Sequence, residues 1–199
     1  AAFGGIAFPI SLAIEGPIIM LLAASTALCK DMISFLKVRK FMLAAAGGLT
    51  AFHILIAFTP IYYWVAESVL GVPADVVEPG RVGLQILTPW TAAIAYRRFL
   101  QGVLIRFGQS RMVMYGTAVR LIALFAALNI AAAIGELSGI AVGTIAISSG
   151  VIAEAIFARW AVSDILRNKM PHRADSADPI NRASFLAFYL PLAVTPLMT

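Results

Sequence analysis

The sequence predicts an all-α protein built as a polytopic bundle of transmembrane helices, and composition and segment length both lead to this class. Hydrophobic residues make up 61% of the 199 residues and charged residues only 13%, whereas soluble globular proteins average roughly 45–50% and about 25%. A soluble fold lacks the polar surface to cover so much apolar material, but lipid accepts it. The apolar segments also reach the length of about 20 residues that a helix needs to cross a bilayer, and they lack the alternation of a membrane barrel.

Five complete spans and the start of a sixth are expected. They cover approximately residues 3–27, 41–66, 82–105, 112–134, 139–163 and 183–199. In the first span the pair Gly16-Pro17, and in the third Pro89, should bend the helix rather than end it, because a backbone in lipid has no other hydrogen-bond partner. The second span ends in the aromatic run at residues 62–64, and the fifth ends near Trp160. Both are positions where aromatic side chains line a membrane interface.

The longest polar stretch, residues 167–182, divides the chain. It is typical of a linker, so we expect an N-terminal transmembrane lobe at residues 1–166 and the start of a second lobe at residues 183–199. Because the chain opens and closes within apolar sequence, we also expect it to be a fragment of a longer protein.

Basic residues are concentrated in alternate connections, which gives the bundle an orientation. The connections after the first, third and fifth spans hold ten of them: Lys30, Lys37, Arg39, Lys40, Arg106, Arg111, Arg167, Lys169, Arg173 and Arg182. The other two connections hold Arg81 alone, together with acidic residues. The positive-inside rule places the ten in the cytoplasm and residue 1 outside. We expect a multi-pass integral membrane protein, of a bacterial inner (plasma) membrane.

Several function classes are not expected. The basic residues lie between apolar segments without interleaved aromatic residues, so nucleic acid is not an expected partner. The sequence has no nucleophile-elbow, phosphate-loop or zinc-protease motif, which argues against an enzyme and against ATP-driven pumping. His53 and His172 lie far apart and Cys29 is the only cysteine, so neither a metal site nor a cofactor is expected.

Three ionisable residues lie deep inside the predicted spans: Glu15, His53 and Glu154. Such a residue costs a few kcal/mol or more at the centre of a bilayer unless it is solvated or paired. Each therefore lines a polar cavity or couples an ion, or else makes a structural hydrogen bond, and the sequence leaves both alternatives open.

Four arginines fall in the cytoplasmic halves of the spans: Arg97, Arg98, Arg120 and Arg159. A polar stripe on the third span, within roughly 140° of arc, joins Thr88, Thr91, Arg98 and Gln101. These residues predict a cationic cavity that binds anions through Arg98, Arg120, Gln101 and Arg97. The alternative is snorkelling to the headgroups, which is favoured for Arg97 and Arg159. Arg120 lies about eight residues, or roughly 12 Å, from its helix end, which favours a buried partner.

Three runs of residues resemble a known superfamily. Residues 51–64, AFHILIAFTPIYYW, and residues 3–8, FGGIAF, followed by Gly16-Pro17, resemble helices of the progressive ankylosis (ANK) family. Residues 96–102, YRRFLQG, resemble the fourth helix of multidrug and toxin extrusion (MATE) proteins and their polysaccharide-exporting relatives. All belong to the multidrug/oligosaccharidyl-lipid/polysaccharide (MOP) flippase superfamily. The resemblance implies two six-helix lobes around a central cavity with alternating access. The five spans would then be helices 2–6 of the first lobe, and residues 183–199 the start of helix 7.

The resemblance also implies a function. We expect a secondary active transporter, an antiporter or efflux protein, that exports a small anionic solute of the pyrophosphate, nucleotide or carboxylate class. Its coupling ion would be H+ or Na+, and the lipid bilayer its other partner. One alternative is a flippase or cation-coupled extruder of lipid-linked saccharides or drugs, which would use Glu15 or Glu154. Another is a membrane scaffold that transports nothing.

Overall fold

A computed structural model describes residues 3–172 and 182–194, and these parts of the chain are all-α, without a strand. The helices are α1 (Phe8–Ile19, after a π turn at Phe3–Ala7), α2 (Leu21–Leu28), α3 (Met32–Phe58), α4 (Ile61–Tyr63, continued by a π segment at Trp64–Val69), α5 (Ala74–Ile86), α6 (Thr88–Arg106), α7 (Ser110–Ile134), α8 (Gly139–Asp164, continued by a π turn at Ile165–Lys169) and α9 (Arg182–Val194). The predicted linker at residues 167–182 falls mostly outside the described residues.

Four helical segments are long and apolar enough to cross a membrane, which confirms the all-α class and gives the chain the character of a multi-pass membrane protein. They are Gly5–Leu28, Met32–Phe58, Ser110–Ile134 and Gly139–Lys169. The predicted third span differs from them, because it is divided between α5 and α6 at Leu87, just before Pro89. Of the five expected spans, four are thus apolar helices, and the third is an interrupted helix that carries arginines.

The second apolar helix begins nine residues earlier than predicted, at Met32. A capping box fixes this start: the backbone N–H of Ser34 donates to the carboxylate of Asp31 at 2.8 Å, and the Ser34 hydroxyl oxygen accepts from the Asp31 N–H at 3.1 Å. Such reciprocal bonds satisfy amide groups that a helix start leaves free. The basic run at residues 37–40, which the sequence placed in a loop, therefore lies on α3.

Helix α6 occupies the centre of the bundle and packs against α1, α2, α3 and α8. Its closest approach is to α2, where a Cβ atom on Gly102 would lie 2.0 Å from Ser25 Oγ and 2.5 Å from the Leu22 carbonyl oxygen. The Thr26 hydroxyl donates to the Gly102 carbonyl at 3.2 Å. Small residues at such a crossing let two backbones touch in an apolar environment.

Helix α7 packs on α8 at the edge of the bundle, and only Gly116 and Ala131 of its residues are buried. Its large side chains, including Ile122 and Phe125, point outward. An apolar helix that is exposed over most of its surface fits a position facing lipid.

Arg81, the basic residue on the predicted outer side, has a local structural role. Its Nε donates to the Ala57 carbonyl at 3.2 Å and its Nη2 to the Phe58 carbonyl at 3.3 Å, at the end of α3. Its Nη1 donates to the Tyr63 hydroxyl at 2.6 Å, and that hydroxyl donates to Glu78 Oε1 at 2.5 Å. A cation here satisfies the last carbonyls of α3 and complements the helix dipole.

Candidate functional site

His53 joins α3 to the interrupted helix. Its ring is fully buried, with Nε2 2.9 Å from the Leu84 carbonyl oxygen and Nδ1 3.0 Å from Thr91 Oγ1. A carbonyl only accepts, so Nε2 carries a proton, and in the neutral ring Nδ1 accepts from the Thr91 hydroxyl. The imidazole thus bridges α5 and α6 across the break at Leu87. Of the two alternatives for His53, this geometry favours the structural hydrogen bond.

Glu154 on α8 is the centre of a buried polar cluster. Arg97 Nη1 donates to its Oε2 at 2.5 Å, and Gln101 Nε2 donates to its Oε1 at 2.9 Å. Arg120 Nε on α7 lies 3.7 Å from the same Oε2. The side chains of Arg97 and Glu154 are 6% and 1% exposed, whereas that of Arg120 is 37% exposed. One carboxylate therefore holds three helices together through charge.

Two glycines let α7 and α8 come close enough for this contact. A Cβ atom on Gly150 would lie 3.0 Å from the Arg120 carbonyl oxygen, and one on Gly116 would lie 3.4 Å from Glu154 Cγ. Each glycine precedes a charged residue of its own helix by four positions, so it lies on the same face. Because α7 and α8 are antiparallel, Arg120 lies against Gly150 and Glu154 lies against Gly116. This repeated spacing of glycine and charge was a signal in the sequence that our prediction missed.

Glu15 on α1 has a different environment. It is 1% exposed, and its Oε1 has no hydrogen-bond partner among the residues that the structure describes. The guanidinium groups that act on this carboxyl electrostatically belong to Arg97 and Arg98. Ser11, one turn earlier on α1, is also fully buried with a hydroxyl lacking any partner within the described parts of the chain. Unpaired buried polar groups are costly, which makes them candidates for binding water or a solute.

Arg98 follows Arg97 on α6 and is half-buried. Its charge interacts with those of Arg97, Arg120, Glu154 and Glu15. Its Nε, like Arg97 Nε and Gln101 Oε1, lacks a hydrogen-bond partner in the described residues. Together, three guanidinium groups and two carboxylates form the cluster, which leaves one positive charge in excess when all five are ionised.

The structure brings together most of the predicted site residues and separates others. Arg97, Gln101, Arg120 and Glu154 are in contact, with Glu15 and Arg98 beside them. Snorkelling does not describe Arg97, because α8 covers it and Glu154 pairs with it. Arg159 is exposed on the outside of α8, where snorkelling remains open. His53 belongs to a separate contact. The predicted stripe also divides, with Thr91 bonded to α3 and Gln101 to α8.

The described residues contain no group of three or more His, Cys, Asp or Glu side chains placed to hold a metal ion. Comparisons with protein-family models, with curated proteins and with solved structures found no match to this chain. The functional interpretation therefore depends on the geometry of the buried cluster.

Proposed function

We propose that this chain is part of a secondary active transporter that moves a small anionic solute by alternating access. The observation that carries the proposal is a cluster of five charged side chains, with one positive charge in excess, in which Arg97, Glu15 and Glu154 are buried and Arg98 and Arg120 are partly exposed. It lies among helices of which four are apolar enough to cross a membrane. Ionisable residues within membrane helices are costly and usually mark a substrate or ion pathway. The resemblance to the MOP flippase superfamily points to the same function and to two lobes.

The cluster favours an anion, because its members are unequally engaged. Glu154 pairs with Arg97 and lies close to Arg120, whereas Arg98 forms no ion pair with any residue that the structure describes. A guanidinium offers several donors in one plane and matches phosphate and carboxylate groups. We assign the main substrate contact to Arg98, with Arg120 and Gln101 as further contacts. The pyrophosphate, nucleotide or carboxylate class follows from the resemblance.

The two carboxylates take different roles in this proposal. Glu154 is a structural residue that positions Arg97 and Arg120, since both of its oxygens already accept hydrogen bonds. Glu15 is the group that binds the coupling ion, H+ or Na+, because it is buried and one of its oxygens is unsatisfied by the described residues. Protonation or a bound cation would remove the cost of burying that charge.

Efflux from reconstituted vesicles tests the assignment of Arg98. The full-length protein would be placed in proteoliposomes loaded with radiolabelled pyrophosphate, ATP or citrate. We expect Arg98→Ala to lower efflux of the transported anion at least about tenfold, the effect of losing a charged hydrogen bond of roughly 1.5–3 kcal/mol. Arg159→Ala removes an exposed arginine of the same bundle and should leave efflux unchanged. Equal efflux from the two variants would refute the role of Arg98.

A second candidate is a cation-coupled extruder of drugs or lipid-linked saccharides, and the environment of Glu15 favours it. A buried carboxyl with an oxygen unpaired within the described residues is also what an extruder of cations requires. Efflux of a cationic dye that is lost in Glu15→Gln but retained in Arg98→Ala would select this alternative. A protein that moves neither anions nor dyes would correspond to the membrane scaffold.

A further inference from the structure

Helix α9, which follows the predicted linker, touches the rest of the bundle through an aromatic cluster. The ring of Phe185 lies 4.2 Å from that of Phe41 on α3, with planes at 50°. The ring of Tyr189 lies 5.0 Å from Phe41, nearly edge-on at 69°, and stacks on Phe185 at 5.6 Å. Phe185 and Tyr189 are buried, whereas Leu186, Phe188 and Leu190 on the same helix are exposed. One narrow face of α9 therefore makes the contact.

Tyr189 also makes a hydrogen bond at an interruption of the first apolar segment. Its hydroxyl donates to the carbonyl oxygen of Pro17. Helix α1 ends at Ile19 and α2 begins at Leu21, so Pro17 lies in the last turn of α1. Carbonyl groups in a last turn have no partner within their own helix. Tyr189 supplies such a partner from a different part of the chain, two residues from Glu15.

The distance of this contact from the starts of α9 and α3 shows where it lies relative to Glu15. Tyr189 lies seven residues after Arg182, the first residue of α9, or roughly 10 Å along a helix. Phe41 lies nine residues after the start of α3 at Met32, or roughly 14 Å. Both helix starts are on the predicted cytoplasmic side, and Glu15 is near the centre of its segment. The aromatic cluster thus lies between the cytoplasmic surface and Glu15.

We propose that Phe41, Phe185 and Tyr189 form a cytoplasmic gate, closed in this conformation, and that the Tyr189 hydroxyl latches the gate to Pro17. The gate opens when α9 moves away from α1 and α3, which admits water and solute from the cytoplasm to Glu15. This inference rests on the proposed function, since it supplies one of the two accesses that alternate. The contacts suit a gate because a neutral hydrogen bond and a few ring contacts are individually weak and can be exchanged for others.

Chemical labelling of a thiol at position 15 tests the gate without requiring transport. Glu15→Cys is introduced into the full-length protein together with Cys29→Ser. The native thiol is a poor target in any case, because burial, with a contribution from Asp31, raises the pKa of Cys29 to about 12. Inside-out vesicles then receive a membrane-impermeant methanethiosulfonate reagent on the cytoplasmic side, and the rate of modification is measured.

Tyr189→Phe keeps the ring and removes the latch, so we expect labelling to accelerate about fivefold, as for the loss of one ordinary hydrogen bond. Tyr189→Ala should accelerate it further. Tyr115→Phe, at an exposed tyrosine of α7, is the matched control and should have no effect. Conversely, oxidative cross-linking of Phe41→Cys with Phe185→Cys should suppress labelling. Labelling should return when the cross-link is reduced and the reductant is washed away before the reagent is added, because a reductant would also cleave the disulfide of the label.

Equal rates in the Tyr189 and Tyr115 variants, or labelling that the cross-link does not slow, would overturn the gate. Neither result depends on efflux. A protein that shows the gate but exports none of the tested anions would contradict the proposed function alone, and a protein that exports an anion at the same rate with the cross-link formed would contradict the gate alone.

Discussion

At the scale of single residues, Glu15 and Glu154 have the same burial but different partners. Both are 1% exposed. Glu154 accepts from Arg97 and Gln101, while Glu15 Oε1 accepts from none of the described residues. Removing one partner of a buried ion pair leaves the other charge uncompensated, whereas removing an unpaired buried charge relieves a cost. The two carboxylates should therefore respond to mutation in opposite ways.

A double-mutant cycle measures the pairing of Glu154 with Arg97. We expect Glu154→Leu and Arg97→Leu each to lower the free energy of unfolding by about 3–5 kcal/mol. The variant with both substitutions should lose much less than the sum of the two, because no charge is left unpaired. Unfolding in mixed detergent micelles gives the values. Additive losses would mean that the 2.5 Å contact carries no coupling.

Glu15→Gln is the control for this cycle, since it removes a buried carboxylate that forms no ion pair with the residues that the structure describes. Its free energy of unfolding should be unchanged or higher, by up to about 2 kcal/mol if a polar amide replaces a charge at this depth. A loss as large as that of Glu154→Leu would show that Glu15 is a structural residue, and the coupling role would then be withdrawn.

For the polar residues of α6, the sequence alone did not determine which neighbouring helix each side chain meets. A helical wheel places Gln101 near both Arg97 and Arg98, and it correctly puts all three inside one helix segment. It does not say which neighbouring helix meets which side of α6. The packing of α8 decides this, because Glu154 accepts hydrogen bonds from Arg97 and Gln101 and acts on Arg98 through its charge. For Arg97, the sequence accordingly favoured snorkelling as the alternative to anion binding, although the side chain is only 6% exposed.

At the scale of helices, the predicted boundaries were most accurate where apolar runs ended in clear breaks. The fourth and fifth spans, at residues 112–134 and 139–163, agree closely with α7 and α8, which are separated by Gly135 in a left-handed conformation (φ 73°). The start of α3 was missed because polar capping, rather than hydropathy, sets it. The division of α5 from α6 was predicted as a bend, but the helix is interrupted at Leu87.

The close contact between α7 and α8 at Gly150 can be tested by a substitution. Gly150→Ala would place a methyl group 3.0 Å from the Arg120 carbonyl and 3.1 Å from its Cγ. Because backbone must move to admit it, we expect a loss of about 1–3 kcal/mol in the free energy of unfolding. Moving Arg120 away from Glu154 should also weaken anion efflux. Micelle unfolding and the vesicle assay measure the two effects.

Gly143 supplies the matched control on the same helix. A Cβ atom there would meet nothing within 4 Å in the described parts of the chain, apart from the backbone of its own helix and its two neighbours in sequence. Gly143→Ala should therefore stabilise α8 slightly, by about 0.5–1 kcal/mol, through the helix propensity of alanine. If both substitutions changed stability by the same amount and in the same direction, close packing at Gly150 would not be the cause.

At the scale of the whole molecule, the basic connections are brought to one end of the bundle. The backbone N–H of Met32 donates to the Pro171 carbonyl at 2.8 Å, which joins the connection before α3 to the segment after α8. Arg106 acts electrostatically on Cys29, so the end of α6 is at the same side. The basic connections therefore meet at one end of the bundle. At the other end, Arg81 is engaged by the α3 carbonyls, beside Glu78.

This segregation leads to a final prediction, because lysines and arginines in short loops are retained on the cytoplasmic side of a membrane. In a Cys29→Ser background, Glu136→Cys, between α7 and α8, should react with an impermeant thiol reagent added to intact cells. Arg111→Cys, at the opposite end of α7, should react only in inside-out vesicles. The reverse pattern would place residue 1 in the cytoplasm. It would also move the aromatic cluster of Phe41, Phe185 and Tyr189 to the outer side of Glu15, so the gate would then control entry from outside.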